Sequence, residues 1–338
     1  MNEARSGMGM EFGSHYLANR LPHCNLGRNK PMTDKKTFFI TGTNSGFGRA
    51  IALAAAQADH SVIGTVRSEA AVAEIEGVGR GRIHALVLDV TSSQAIPSVV
   101  EKAEAEFGPV DVLINNAGYG HEGVLEESPI EEMRRQFEVN VFGAVAVAKA
   151  FLPRFRERRR GFIVNVTSMG GLITMPGIAY YCGSKFALQG ISEVMRAEMA
   201  PFGVHVTALC PGSFRTDWAG RSMVRSDRTV ADYDELFDPI RKGRQEKSGK
   251  QLGDPAKLAA AVLKLIESDN PPPQLLMGSD ALNWCATSLP AWRRSSTPGR
   301  NLPFQRIARL EGAPLAGTFV VIAKRPYGFR AAKIPLSR

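Results

Sequence analysis

A short apolar run leads into a glycine-rich turn in Thr37-Phe38-Phe39-Ile40-Thr41-Gly42-Thr43-Asn44-Ser45-Gly46-Phe47-Gly48. The run Thr37–Thr41 is rich in β-forming residues, which predicts a buried strand. An alanine-rich helical stretch follows, from Gly46 to about Ala58. In this arrangement free backbone N–H groups and the helix dipole face the same point, and glycine lets the backbone approach a ligand there. The sequence therefore predicts a pyrophosphate-binding turn at the start of an α/β unit.

Strand-like and helical segments alternate along most of the remaining chain. The expected strands are 61–65, 83–89, 110–114, 161–166, 204–209 and 274–277. Long helical patterns cover 130–155 and 178–201, and Pro153 is expected to end or kink the first of them. Such alternation predicts a parallel sheet with helices on both faces, and ~250 residues suffice for one core. We expect a single α/β domain over residues 32–282, with a doubly wound parallel sheet (Rossmann fold) and irregular terminal extensions.

Tyr181 and Lys185 stand four residues apart in a helical pattern, and Ser168 lies upstream of them, after an expected strand. Positions i and i+4 share one face of a helix, so the Lys185 ammonium can lie beside the Tyr181 phenol. A tyrosine normally titrates near ~10, and a neighbouring cation lowers that pKa toward the range useful for general acid/base catalysis. The adjacent Tyr180 points about 100° away around the helix. The spacing therefore selects Tyr181 as the residue that transfers a proton.

With these segments in place, the chain resembles the short-chain dehydrogenase/reductase family from about Lys35 to about Gly278, and within it the hydroxysteroid or retinol dehydrogenase branch. The motifs that carry the resemblance occur in the family's order and are Thr41-Gly42-x-x-x-Gly46-x-Gly48, Asp89-Val90, Asn115-Asn116-Ala117-Gly118, Asn140, Ser168, Tyr181-x-x-x-Lys185 and Pro211-Gly212. The resemblance implies hydride transfer between a nicotinamide cofactor and a carbonyl or alcohol group (EC 1.1.1.-).

The resemblance also implies a catalytic set of Tyr181, Lys185, Ser168 and Asn140. Ser168 would bond the substrate oxygen, Lys185 would also bond the nicotinamide ribose, and Asn140 would hold a water that links Lys185 to bulk solvent. The positions expected to bind the cofactor are Gly42, Thr43, Asn44, Ser45, Gly46, Phe47, Gly48, Arg67, Asp89, Val90, Asn116, Ala117, Gly118, Tyr181, Lys185, Pro211, Gly212 and Thr216. Among these, the Asn116 side chain is expected to tie neighbouring strands together.

Each of these roles has a plainer alternative. Taken alone, Ser168 would be interpreted as a turn or capping serine, and Lys185 as a solvated lysine on a helix. Asn140 would read as a core asparagine with satisfied hydrogen bonds, because it lies on an apolar helix face. Asp89 would read as a cap for the helical stretch that begins at Thr91. The joint spacing of Ser168, Tyr181 and Lys185 favours the catalytic interpretation.

The end of the second expected strand bears on the choice of cofactor. Folds that take NAD usually place an acidic residue there to accept from the ribose 2′-hydroxyl. Here the run is Ile63-Gly64-Thr65-Val66-Arg67-Ser68, with no carboxylate until Glu69. The Arg67 guanidinium suits a 2′-phosphate, and Ser68 can add a hydroxyl. NADP is therefore expected rather than NAD, with a simple surface arginine as the alternative.

The substrate is expected to be a bulky apolar ketone, aldehyde or alcohol. The segment 214–253 should cover the site, and the loop between Ser168 and Tyr181 should add further apolar side chains. Together these segments supply Phe214, Trp218, Met223, Tyr233, Phe237, Met169, Leu172, Ile173 and Met175. The alternative is that half of these side chains belong to the core. A second hypothesis keeps the fold but not the turnover, as an NADP-binding sensor or partner module.

The formal charge of +9 lies mainly at the ends of the chain. Residues 283–338 hold ten Lys/Arg and a single acidic residue, Glu311, whereas residues 32–282 carry a net charge of −2. A nucleic-acid partner is not expected, because its footprint should lie on the folded domain. Residues 283–338 are expected to be a frame-shifted or ordinary basic tail, largely disordered apart from a possible strand at 318–323, so truncation after Leu282 should leave activity unchanged.

Residues 1–31 contain no apolar run long enough for a signal peptide or a membrane-spanning helix. They are expected to be a mis-started extension, with Met32 as the true start, or a disordered arm. Cys24, Cys182, Cys210 and Cys285 show no metal or redox spacing, and the histidines show no paired ligand spacing. We therefore expect no metal and a cytoplasmic location, with a homo-oligomer possible.

Overall fold

The computed structural model describes residues 35–294, 319–325 and 328–334, and the expectation for residues 1–31 lies outside them. Within the described residues, a nine-stranded sheet has the order β11-β10-β9-β7-β6-β4-β1-β2-β3. The seven strands from β3 to β9 in that order are mutually parallel. The strands are β1 Thr37–Thr41, β2 Ser61–Val66, β3 Ile83–Val87, β4 Val112–Asn115, β5 Gly120–Glu122, β6 Gly161–Val166, β7 Val204–Pro211, β8 Met223–Arg225, β9 Gln274–Met277, β10 Phe319–Arg325 and β11 Gly328–Ile334.

Helices cover both faces of this sheet, so the predicted doubly wound Rossmann architecture is confirmed. The α-helices are α1 Gly46–Gln57, α2 Glu69–Val78, α3 Ile96–Phe107, α4 Ile130–Phe137, α5 Ala144–Arg158, α6 Ala179–Met199, α7 Asp234–Glu246, α8 Pro255–Ile266 and α9 Ser279–Arg294. The short strands β5 and β8 pair separately in parallel.

The alternation of side chains along β1 divides the core into two layers. Phe38 and Ile40 pack with α1 and α8 on one face of the sheet, where Leu258 is fully buried. Phe39 packs with α3 and α5 on the other face, against Phe151 at a ring-centroid distance of 5.0 Å. Because successive side chains of a strand point to opposite faces, one continuous apolar run supplies both layers.

The middle helix differs from the sequence prediction of one segment over 130–155. A π-helical turn at Glu138–Gly143 separates α4 from α5. Pro153 lies inside α5, which continues to Arg158, so of the two predicted outcomes the helix end is excluded and the kink stays a prediction. The helix instead ends at Arg159, which has a left-handed backbone with φ of 53°. π-turns of this kind commonly mark functional positions.

Residues beyond 282 carry more regular structure than the sequence predicts. Helix α9 crosses position 282, and Cys285 on it is only 1% exposed and packs with Cys210 and Leu276. Strand β10 pairs antiparallel with β9, and β11 pairs with β10. The expectation of a largely disordered tail therefore differs from the structure over these segments, while residues 319–323 of the possible strand fall within β10. The frame-shift hypothesis concerns the gene and stays a hypothesis.

No helix among the described residues is both long and apolar enough to cross a membrane.

Truncation after Leu282 is now expected to destabilise the domain rather than leave it unchanged. It removes most of α9 together with the buried Cys285, and losses of this kind cost about 2 kcal/mol of unfolding free energy. For a domain of this size the melting temperature should fall by roughly 4–8 °C. Truncation after Arg294, which keeps α9, is the matched control. Identical melting curves for the two truncated chains would contradict a structural role for α9.

Candidate active site

The glycine-rich turn has the backbone geometry of an anion-binding site. Gly42 and Gly46 have φ of 72° and 57°, which other residues adopt only with strain. A Cβ on Gly48 would lie 2.2 Å from the Gly42 carbonyl oxygen, so helix α1 can approach the turn only because this position is glycine. Ser45 makes no side-chain cap, and the first turn of α1 has no acidic residue. The free N–H groups at this helix end therefore suit a pyrophosphate.

Some of the remaining residues of the turn hold its backbone in place, and one is exposed to solvent. Thr43 is fully buried, and its N–H donates to the Thr65 carbonyl at 3.0 Å. Phe47 packs edge-on against Phe214 with ring centroids 5.3 Å apart. Asn44 is exposed at the outer side of the turn. Thr43 and Phe47 thus fix the shape of the turn, while Asn44 is free to meet a ligand.

The segment 116–118 is fastened to the glycine turn. Asn116 Nδ2 donates to the carbonyl oxygens of Thr41 and Gly42, both at 2.9 Å. The Ala117 N–H donates to Thr41 Oγ1 at 2.9 Å. A Cβ on Gly42 would come within 3.2 Å of Ala117 Cα. Asn116 therefore ties β1 to β4, as the sequence led us to expect.

Asp89 and Val90 follow β3 in two different environments. The Asp89 side chain is exposed, and Oδ1 accepts from the N–H and the hydroxyl of Thr91 at 2.9 and 2.8 Å. Helix α3 begins only at Ile96, so Asp89 closes a turn and does not cap that helix. Val90 is buried, and a Cβ on Gly143 would lie 2.8 Å from its Cγ2.

The loop after β7 reaches across to the glycine turn. The Thr216 side chain lies 3.8 Å from the position that a Cβ on Gly46 would occupy. Pro211 is buried at the end of β7, and the Gly212 N–H donates to the Met277 carbonyl at 2.7 Å. A Cβ on Gly212 would meet the Asp280 carboxylate at 2.4 Å. Thr216 and Gly46 therefore face each other across the expected cofactor groove.

Ser168 has the capping role of its plainer interpretation and also lies beside Tyr181. It caps the short 3₁₀ turn Met169–Gly171, and its Oγ accepts from the Gly170 N–H at 3.0 Å. A Cβ on Gly170 would lie 3.4 Å from Ser168 Oγ and 3.3 Å from Tyr181 Cε1, and while burial raises the pKa of the Tyr181 phenol, the nearby Ser168 hydroxyl lowers it. Both side chains are buried, with 7% exposure each. The structure therefore brings the two hydroxyl groups together, although they come from different elements.

The relation between Lys185 and Tyr181 differs from the sequence expectation. Lys185 Nζ donates to the Val166 carbonyl at 2.9 Å and lies 5.8 Å from the centre of the Tyr181 ring. Burial raises the pKa of Tyr181 well above its usual value, against a smaller lowering by Ser168. Burial also lowers the pKa of Lys185 to about 8. Desolvation therefore outweighs the expected effect of the ammonium on the phenol, which stays neutral, and it makes the Lys185 ammonium easier to deprotonate than in water.

Asn140 lies within the π-turn and has several hydrogen-bond partners. Its Nδ2 donates to the Tyr119 carbonyl and to Ser184 Oγ, each at 3.1 Å, and its Oδ1 accepts from the Tyr119 N–H at 3.1 Å. A Cβ on Gly118 would lie 2.9 Å from Asn140 Oδ1 and 3.6 Å from Lys185 Nζ. The absence of a side chain at Gly118 thus leaves the amide and the amine facing one small space.

Sequence reasoning missed Ser184, which joins the two parts of this network. Its Oγ donates to the Tyr181 carbonyl at 2.8 Å and accepts from Asn140. Its position between Tyr181 and Lys185 gave no separate signal. The neighbouring Tyr180 points elsewhere, as predicted, and its hydroxyl donates to the Ser128 carbonyl at 2.7 Å.

Trp218 and Met175 are the expected pocket residues that pack beside Tyr181. The Trp218 ring lies 4.9 Å from the Tyr181 ring, and its indole N–H is buried without a partner among the described residues. The other side chains of the set pack into the core or its edges. Phe214 belongs to the main core, Met169, Leu172 and Ile173 pack with Cys210, Met223 lies against Gly120, Phe237 lies under Arg228, and Tyr233 bonds Glu126.

Within the described ranges, no group of three or more His, Cys, Asp or Glu side chains is arranged to hold a metal ion.

Comparison with known proteins identifies the family. Residues 36–225 match the family model described as short chain dehydrogenase. Oxidoreductase BOA17 of Botryotinia fuckeliana is 36% identical over 269 residues, which cover 79% of this chain and 97% of that protein. A 3-ketodihydrosphingosine reductase of Bacteroides thetaiotaomicron is 39% identical over 236 residues, with coverages of 69% and 84%. The chain belongs to the short-chain dehydrogenase family and is an oxidoreductase of CH–OH or carbonyl groups.

Solved structures agree with this assignment. A short-chain dehydrogenase from Streptomyces avermitilis has a TM-score of 0.72 and 37% identity, covering 78% of this chain and 95% of its own. A family member from Burkholderia phymatum in complex with NAD has a TM-score of 0.69 and 25% identity, with coverages of 80% and 98%. An alcohol dehydrogenase from Thermococcus sibiricus, complexed with 5-hydroxy-NADP, has a TM-score of 0.59 and 26% identity, with coverages of 72% and 96%.

The lowered pKa of Lys185 predicts a pH-dependent stability difference between the wild type and Lys185→Met. Below pH 8 the folded and unfolded states both hold the proton, and the full burial penalty applies. Between pH 8 and 10.5 the folded state releases the proton first, so the wild type should gain up to about 3 kcal/mol relative to the variant. Denaturant unfolding without cofactor at several pH values measures this change. Lys102→Met, at an exposed lysine, is the control, and a difference that stays constant with pH would contradict the buried amine.

Proposed function

We propose that the protein is an NADP(H)-linked oxidoreductase of apolar ketones, aldehydes or alcohols, with Tyr181 as the general acid/base. The observation that carries this proposal is the buried pair of Ser168 and Tyr181, which lie together beside Gly170, with Lys185 and Asn140 sharing a space next to it. A nicotinamide cofactor at the glycine turn would supply or accept the hydride. The cytoplasmic location and the homo-oligomer remain predictions.

Several side chains of the protein would each have a separate role around the substrate oxygen. The Ser168 hydroxyl can donate a hydrogen bond to that oxygen and thereby fix its position next to Tyr181. The neutral phenol favoured by burial is the form that donates a proton to a carbonyl oxygen. The space that Asn140 and Lys185 border offers a route for replacing the proton. These roles are inferred from position and chemistry.

The position of Arg67 supports NADP. Arg67 directly follows β2, and Thr65 two residues earlier accepts the N–H groups of Gly42 and Thr43, both at 3.0 Å. The Arg67 side chain is exposed and makes no ion pair with any described residue. It is therefore available beside the glycine turn for a 2′-phosphate. Family members have been solved with NAD and with an NADP derivative, so the preference needs a direct test.

The apolar substrate class rests on the surroundings of Tyr181. Trp218, Met175 and Ile178 pack around its ring, which favours a substrate with an apolar part next to the reacting oxygen. The relative named 3-ketodihydrosphingosine reductase is consistent with a ketone on a long chain. A screen of cofactor oxidation over ketones and aldehydes, with NADPH and NADH in parallel, tests the class.

Replacing Tyr181 with Phe should abolish turnover and leave NADP binding nearly intact. Only the proton-transferring hydroxyl is lost, and the ring still packs against Trp218. Steady-state rates and cofactor binding measured by fluorescence would show the separation. Tyr180→Phe is the matched control, and it should keep most of the activity. A Tyr181→Phe enzyme with a substantial fraction of wild-type turnover would refute the assignment.

Arg67→Ala should weaken NADPH binding and barely affect NADH. A hydrogen bond to a charged group contributes about 1.5–3 kcal/mol, so the NADPH dissociation constant should rise about 10-fold or more. Arg134→Ala, an exposed arginine on α4, controls for a general charge effect. Titrations of both cofactors against both variants give the answer. Equal weakening for NADPH and NADH would show that Arg67 supports the fold and does not read the 2′-phosphate.

A further inference from the structure

Three arginines converge on one buried carboxylate near the active site. The Glu122 side chain is fully buried. Its Oε1 is 3.1 Å from Arg225 Nε and 3.5 Å from Arg241 Nε, and its Oε2 is 3.3 Å from Arg244 Nη1. These arginine side chains are only 20%, 24% and 17% exposed. We call Glu122, Arg225, Arg241 and Arg244 the Glu122 cluster.

The Glu122 cluster lies on the side of β5 that faces Tyr181. Alternate residues of a strand share a face, so Glu122 points the same way as Gly120. A Cβ on Gly120 would lie 3.0 Å from the Trp218 ring, which in turn packs against Tyr181. Arg244 also donates to the carbonyl of Pro176, in the loop that leads to Tyr181. The cluster therefore borders the wall of the expected substrate site.

The charges of the cluster do not balance. One carboxylate offsets one of three guanidinium groups, which leaves two positive charges in a poorly solvated place. The nearby Arg228 shows the opposite ratio, because it pairs with Glu127, Asp234 and Asp238. There the two aspartates are 53% and 58% exposed, so water screens the excess negative charge. The excess positive charge of the Glu122 cluster is less exposed to water, at 17–24%, and favours an added anion.

Of the three arginines, Arg241 has the most guanidinium N–H groups without a hydrogen-bond partner among the described residues. Arg225 and Arg244 also bond the carbonyls of Ala219 and Pro176, which fastens the segment 219–244 to the domain. Among the described residues, Arg241 has only its long contact with Glu122, at 3.5 Å. Its remaining guanidinium N–H groups and its 24% exposure leave it able to meet a ligand from the substrate side.

We propose that the Glu122 cluster binds an oxyanion, a carboxylate or a phosphate, carried by the substrate at a distance from its reacting carbonyl. The substrate is then amphipathic, with its apolar part against Trp218 and Met175 and its anionic end at Arg241. This proposal rests on the proposed function, because it assigns the far end of the same substrate. It makes Arg241 a specificity-determining residue.

Binding of a matched pair of probes tests the proposal. The probes are ω-oxo fatty acids of increasing chain length and their methyl esters, measured by calorimetry with the NADP-loaded protein. For at least one chain length, the acid should bind the wild type about 10-fold or more tightly than its ester. Arg241→Gln should reduce this ratio about 10-fold, and Arg241→Lys should restore part of it. Arg221→Gln, which removes an exposed arginine of the same segment, should leave the ratio unchanged.

Other outcomes separate this proposal from the proposed function. Equal affinity for acid and ester at every chain length overturns the anion site. An Arg241→Gln variant that weakens the acid and the ester by the same factor, so that their ratio stays at the wild-type value, shows that the cluster only fastens the segment, and also overturns the anion site. Inorganic phosphate should compete with the acid and not with the ester. Tight binding of the acid without NADPH-dependent turnover of any probe would contradict the proposed function and leave the anion site standing.

Discussion

The hydroxyl of Thr41 holds together the parts on which the site depends. It accepts the N–H groups of Asn116 and Ala117 at 3.0 and 2.9 Å, while the Asn116 amide returns two bonds to Thr41 and Gly42. These bonds fix the end of β1 against the end of β4. Gly118 is thereby placed next to Lys185 and Asn140. The glycine turn and the residues that we propose to transfer the proton are thus positioned by the same set of hydrogen bonds.

Much of the fold and part of the site follow from short spacings in the sequence. These are local patterns, and local patterns predict local structure directly. They include the strand and helix around Gly42, the i, i+4 pair of Tyr181 and Lys185, and the alternation of segments. The separate orientation of Tyr180 also follows from helix geometry alone. The contact between Ser168 and Tyr181 needed the family resemblance as well, because it joins residues from different elements.

Other features depend on long-range packing that spacing does not encode. Glu122 meets Arg225, Arg241 and Arg244 only because β5 pairs with β8 and α7 packs behind them. The pKa of Lys185 depends on how much water the fold removes, which no neighbour in the sequence reveals. Cys285 seemed part of a polar, basic stretch, but α9 buries it under β9. The average composition of such a stretch does not reveal that one face of a helix within it is apolar and buried.

Burial has opposite effects on the two titrating groups at the centre of the site. It raises the pKa of Tyr181 and lowers that of Lys185, so each is held closer to its neutral form than in water. Because the site holds little water, a charge that enters it acts on both groups with little screening. Trp218 covers the phenol, while the excess positive charge lies further along the substrate wall at Arg241. In this proposal the fold separates charge recognition from proton transfer: the guanidinium groups would hold an anion, while the neutral form of Tyr181 would transfer the proton.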